Sequence, residues 1–75
     1  MNHQETKMIM RSKARLAAGL VNLLKDDTNQ ICIDVDDLDL FSLGEAIREA
    51  KRTTQTLLDT VVELERDLRL VKRDA

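Results

Sequence analysis

Residues 43–71 read LGEAIREAKRTTQTLLDTVVELERDLRLV, and their apolar pattern is the most regular feature of the chain. Apolar or small side chains recur at alternating spacings of four and three residues, with one threonine as the single polar member. The set comprises Leu43, Ile47, Ala50, Thr54, Leu57, Val61, Leu64, Leu68 and Val71. This spacing is the heptad pattern of a coiled-coil seam. It predicts a long helix over about residues 43–73.

Apolar residues upstream also follow a helical period, over about residues 5–26. They form two neighbouring stripes, one of Met10, Ala14, Ala17, Val21 and Leu24 and one of Ile9, Leu16, Leu20 and Leu23. A broad apolar face of this kind predicts a first amphipathic helix. The 75 residues are short enough for one domain, so we expect residues 1–75 to fold as an all-α helical hairpin of two long antiparallel helices.

The segment between the predicted helices, about residues 27–42, is expected to be an extended acidic connector. Within it Ile31, Ile33 and Val35 alternate with other residues, and all three side chains are β-branched. This alternation is typical of a strand. No second segment of the chain offers it a partner, so it would pack over the helices or pair with the same segment of a second copy.

The chain is small and has only one cysteine, which excludes an internal disulfide and a multi-thiolate metal site. Small domains without such links are often stabilised by oligomerisation. The heptad set beginning at Leu43 is therefore predicted to be a homodimer interface in a four-helix, coiled-coil-like assembly. Antiparallel pairing of the long helices is preferred and parallel pairing stays open, as does pairing with a different protein.

The stretch DVDDLDLFSLGE, residues 34–45, has features of a metal-binding loop, of a group-carrier motif and of a helix N-terminus. A calcium loop needs an oxygen ligand where Leu38 stands and a glycine where Asp39 stands. Phe41-Ser42-Leu43 resembles the D-S-L motif of acyl and peptidyl carrier proteins, which implies a modified serine, but phenylalanine replaces the aspartate. Ser42 and Glu45 also match the S-x-x-E capping box of a helix N-terminus. The capping box is the preferred interpretation, and no metal or cofactor is expected.

Charge is distributed unevenly along the chain, although the net charge is only −2. Residues 1–25 carry five basic and one acidic side chain, whereas residues 26–45 carry seven acidic and no basic ones. In an antiparallel hairpin the basic residues of the first helix approach those near residue 73, and the acidic residues gather at the turn. The hairpin is expected to have a basic end and an acidic end.

These features predict a non-enzymatic regulator, such as an inhibitor or anti-activator of the kind encoded by small bacterial and phage genes. The expected contact surface is the acidic and apolar turn formed by Asp34, Asp36, Asp37, Leu38, Asp39, Leu40 and Phe41. Its partner would be a protein with a basic surface, for example a DNA-binding protein. No signal peptide or membrane span is evident, which favours a cytoplasmic protein. Direct DNA binding through the basic end, or a role as a structural or chaperone coiled-coil subunit, are the alternatives.

Overall fold

The computed structural model describes residues 3–74, which form two helices of 35 residues each. Helix α1 spans His3–Asp37 and helix α2 spans Leu40–Asp74. They lie antiparallel in a rod with dimensions of 54 × 14 × 12 Å. The prediction of an all-α helical hairpin is confirmed.

The connection between the helices is shorter than predicted, because α1 continues through residues 27–37. Residues 31–35, expected to be extended, are helical instead. β-Branched residues disfavour a helix only slightly, and no proline or glycine interrupts this segment. Helix α2 likewise begins at Leu40 rather than at residue 43. The extended connector of residues 27–42 is thus replaced by a turn of two residues.

One line of partly or fully buried side chains on each helix faces the other helix, again at spacings of three and four residues. On α1 the line is Thr6, Met10, Lys13, Ala17, Leu20, Leu24, Asp27, Ile31 and Asp34, and on α2 it is Leu43, Ala46, Ala50, Thr53, Leu57, Thr60, Leu64, Asp67 and Val71. This seam explains why α1 extends so far, since Asp27, Ile31 and Asp34 continue the spacing set by Leu24. Polar residues occupy much of the seam.

The core of the hairpin is correspondingly thin. Among the residues that the structure describes, Leu20 and Ala46 are the buried apolar side chains, whereas Asp34, Thr53 and Thr60 are buried polar ones. The Thr60 hydroxyl donates to the Thr56 carbonyl at 2.9 Å, so it is satisfied within its own helix. A hairpin whose deepest positions are mostly polar gains little from apolar burial.

Candidate functional site

The turn joins the helices through backbone hydrogen bonds that end α1 in a Schellman motif. The Asp39 amide donates to the Asp34 carbonyl at 3.0 Å, and the Leu38 amide donates to the Val35 carbonyl at 3.2 Å. This pattern requires a left-handed residue after the last helical one, usually glycine. Here the residue is Leu38, with φ at 53°.

Asp39 is the N-cap of α2, which corrects the capping box predicted at Ser42. Its Oδ1 atom accepts a hydrogen bond from the Ser42 amide at 3.1 Å, and its carbonyl accepts one from the Leu43 amide at 2.9 Å. An aspartate is among the best N-caps because its side chain satisfies an amide of the first turn and its charge favours the helix dipole. Ser42 lies inside the first turn and its hydroxyl is used elsewhere.

The sequence predicted Asp34 on the exposed acidic surface of the turn, but Asp34 lies in the interior of the turn. The side chain is 3% exposed. Its Oδ2 atom accepts a hydrogen bond from the Ser42 hydroxyl at 3.0 Å, and its Oδ1 atom accepts one from the side-chain Nε2 of Gln30 at 2.9 Å. A buried carboxylate needs such donors. Asp34 therefore connects the last turn of α1 to the first turn of α2.

The remaining predicted contact residues do come together at the tip of the hairpin. Leu38, Leu40 and Phe41 are 77%, 74% and 79% exposed, more than any other large apolar residue described. Asp36 and Asp37 are exposed on the preceding turn of helix. We call these five residues the turn surface. It combines an apolar cluster with adjacent negative charge on a backbone fixed by hydrogen bonds.

The residues predicted to form a dimer interface divide into two groups in the structure. Every second member is partly covered by α1, namely Leu43, Ala50, Leu57, Leu64 and Val71. The intervening members, Ile47, Thr54, Val61 and Leu68, are exposed. Five of the nine predicted interface residues are thus used within the hairpin, and the other four form an apolar stripe beside it.

The opposite end of the hairpin is basic, and one of its lysines is held in an ion pair. Lys13 Nζ lies 2.8 Å from Asp67 Oδ2 and 3.7 Å from Glu63 Oε2. The hydrogen bond to Asp67 raises the pKa of Lys13 above its ordinary value, burial acts in the other direction, and the charges of Asp67 and Glu63 raise the pKa further. This contact shows that the N-terminal part of α1 lies beside the C-terminal part of α2.

Besides the Ser42–Asp34 hydrogen bond, two polar contacts across the seam were missed by the sequence interpretation. These are the Lys13–Asp67 pair and the hydrogen bond of 3.0 Å that the Thr53 hydroxyl donates to Asp27 Oδ2. A search for apolar periodicity passes over such residues. In the sequence, these residues are recognisable only because they occupy the positions that the apolar side chains leave open in a repeat of three and four residues.

Within residues 3–74 no group of three or more histidine, cysteine, aspartate or glutamate side chains is arranged to hold a metal ion. Neither helix, over the same residues, has a stretch sufficiently long and apolar to cross a lipid bilayer. Comparison of the chain with protein-family models, with curated proteins and with solved structures gave no match. Fold and surfaces define a small helical-hairpin protein with two candidate binding surfaces, the turn surface and the apolar stripe.

Proposed function

We propose that this chain is a non-enzymatic regulator that binds another protein through the turn surface. The observation that carries the proposal is the left-handed conformation of Leu38, an exposed leucine at a position where glycine is the usual residue. A left-handed conformation costs a residue with a Cβ atom about 1–2 kcal/mol. Such strain, at an exposed apolar side chain that packs against little of its own molecule, favours a role in binding.

The neighbouring residues support the same role. Leu40 and Phe41 extend the apolar cluster, and exposed aromatic or aliphatic side chains of this kind can act as anchors that enter a pocket of a partner. The Asp39 cap and the Ser42–Asp34 hydrogen bond fix the turn before any partner arrives. Preorganisation lowers the entropy lost on binding.

Charge indicates the chemistry of the partner. Residues 26–45 contain seven acidic and no basic side chains, and Asp36 and Asp37 are exposed next to Leu38. A complementary partner has an apolar pocket bordered by lysine and arginine, which accelerates association. The DNA-binding face of a transcription factor has this basic character, and its occlusion would make the chain an inhibitor or anti-activator.

The partner can be identified by photo-cross-linking in extracts of the source cells. A photoreactive phenylalanine analogue at Phe41 should give a cross-linked protein that mass spectrometry identifies, whereas the same analogue at Val62, on the outer face of α2, should not. Equal products at both positions would contradict the proposal. Duplex DNA is tested in parallel by gel shift, and tight binding that weakens steeply with salt would favour direct DNA binding instead.

Leu38→Gly then tests the role of the strained leucine against the purified partner. We expect the free energy of unfolding to rise by about 1 kcal/mol, because glycine adopts the left-handed conformation without steric cost. Affinity for the partner should fall by about tenfold or more, since an anchor is lost. Asp36→Asn with Asp37→Asn should slow association and leave helicity unchanged. Unchanged affinity of Leu38→Gly would exclude the turn surface as the binding site.

A further inference from the structure

We infer that the apolar stripe of α2 binds a second copy of this chain, with the two hairpins antiparallel in a four-helix bundle. The stripe consists of Ile47, Thr54, Val61 and Leu68, each four residues after a side chain that already contacts α1. It runs along most of α2 and is covered along one edge only. The turn surface shares no residue with the stripe, although its acidic residues lie at the end of the rod that the antiparallel dimer places beside the basic end of the second copy.

Apolar grooves flank this stripe near both ends of the hairpin. One groove is lined by Met10 and Ala14 of α1 with Leu64 and Val71 of α2, together with Lys7 and Arg11. The other is lined by Ile31 of α1 with Ile47, Ala50, Lys51, Thr54, Gln55 and Leu58 of α2. Both helices thus contribute apolar atoms to one side of the rod, which a neighbouring pair of helices could cover.

The single polar member of the stripe does not oppose burial. The Thr54 hydroxyl donates a hydrogen bond of 2.7 Å to the Ala50 carbonyl of its own helix. Covering Thr54 with a second molecule therefore leaves no donor without an acceptor, which is the usual cost of burying a hydroxyl. The stripe can serve as a dry interface along its whole length.

The hairpin exposes more surface than a compact monomer of its mass, and a second copy could cover the difference. The chain exposes 5940 Å², whereas a compact monomer of 8.6 kDa exposes about 4,700 Å². The surplus of about 1,200 Å² is comparable with the roughly 600–1,000 Å² per partner that a stable interface buries. A rod 54 Å long needs an occupant of similar length, and a second hairpin has that length and the same stripe.

Charge selects the antiparallel arrangement. Residues 26–45, at the turn, have a net charge of −7, and residues 1–25, which begin at the other end of the rod, have a net charge of +4. A twofold axis across the middle of the rod places the acidic end of each copy beside the basic end of the other. Parallel association would bring the two acidic ends together, which like-charge repulsion disfavours.

Val61→Asp and Val62→Asp form a matched pair for testing the interface. The two valines are neighbours on α2 and are 48% and 42% exposed, but Val61 belongs to the stripe and Val62 points away from it. Sedimentation equilibrium of the full chain should give a dimer for the wild type and Val62→Asp. Val61→Asp should weaken the dimer about 100-fold, because a carboxylate is buried without a partner. A monomeric wild type, or equal effects of the two variants, would overturn the inference.

The native cysteine tests the orientation. Cys32 is exposed and lies 12 residues from Leu20, the midpoint of α1. In the antiparallel dimer, nitroxide labels on the two Cys32 thiols should lie at least about 36 Å apart, at a rise of 1.5 Å per residue. Pulsed electron paramagnetic resonance measures this distance. A distance below about 25 Å would indicate parallel hairpins with adjacent helices about 10 Å apart, and would overturn the antiparallel assignment.

Discussion

The Ser42 hydroxyl donates a hydrogen bond of 3.0 Å to Asp34 Oδ2 and so links the two helices beside the turn. Ser42→Ala should lower the free energy of unfolding by about 1–2 kcal/mol, because a buried carboxylate loses one of its two donors. Urea denaturation followed by circular dichroism measures the change. Ser12→Ala, at an exposed position of α1, is the matched control and should change stability by less than about 0.5 kcal/mol.

Glu45→Ala separates the observed cap from the capping box that the sequence suggested. A capping box at Ser42 would make Glu45 a partner of the first helical turn, and its loss would destabilise α2. With Asp39 as the cap, Asp39→Ala should lower the free energy of unfolding by about 1 kcal/mol, whereas Glu45→Ala should lower it by a few tenths of a kcal/mol at most. A larger loss of unfolding free energy for Glu45→Ala than for Asp39→Ala would show that the capping box at Ser42 is the one that forms.

The Asp27–Thr53 hydrogen bond should be replaceable by apolar packing, although neither partner can be removed alone. Thr53→Val leaves Asp27 without this donor in the seam and should cost about 1–2 kcal/mol. Asp27→Leu combined with Thr53→Val should recover the loss or exceed wild-type stability, because an apolar pair needs no desolvation of charge. A double-mutant cycle of urea unfolding checks both. A double variant less stable than Thr53→Val would show that the polar pair contributes more than packing can replace.

Raising the pH should weaken the hairpin through Lys13. Its folded-state pKa lies above the ordinary value of 10.5 because the ammonium group is held by Asp67. A raised pKa means that the folded state binds the proton more tightly, so this stabilisation is complete below pH 10.5 and is lost as pH rises through the higher folded-state pKa. Thermal melting from neutral pH to above this range should show a falling midpoint. Lys13→Met should remove that component, whereas Lys7→Met, at an exposed position, should retain it.

The heptad pattern from Leu43 to Val71 predicted nearly all of α2, and the apolar periodicity of residues 5–26 predicted the first part of α1, because apolar spacing is a local property of the chain. Residues 27–37 of α1 were missed for a physical reason. Asp27 and Asp34 interrupt the apolar stripe, and their burial depends on donors from Thr53 and Ser42 on the other helix. The sequence of α1 alone does not indicate that α2 supplies these donors.

The turn was missed for a different reason. A glycine after Asp37 would have indicated a helix end, but Leu38 adopts the left-handed conformation and gives no such signal. The exposed acidic and apolar residues of the turn lie near one another because they are close in sequence, whereas Asp34 is buried, and their role in binding stays a prediction. The burial of Asp34 depends on tertiary contacts that cannot be read from the composition of the turn.

The polar contacts across the seam also limit how the two helices can align. Sliding α2 by one heptad would set Asp27 opposite Ala46 and Lys13 opposite Thr60, so that each charge would lose the group it meets in the observed alignment. A uniformly leucine-rich seam would tolerate such sliding, whereas a partly buried charge that loses its partner is penalised. The seam therefore has less apolar burial than a leucine-rich one, and its polar contacts favour the observed register of the two helices.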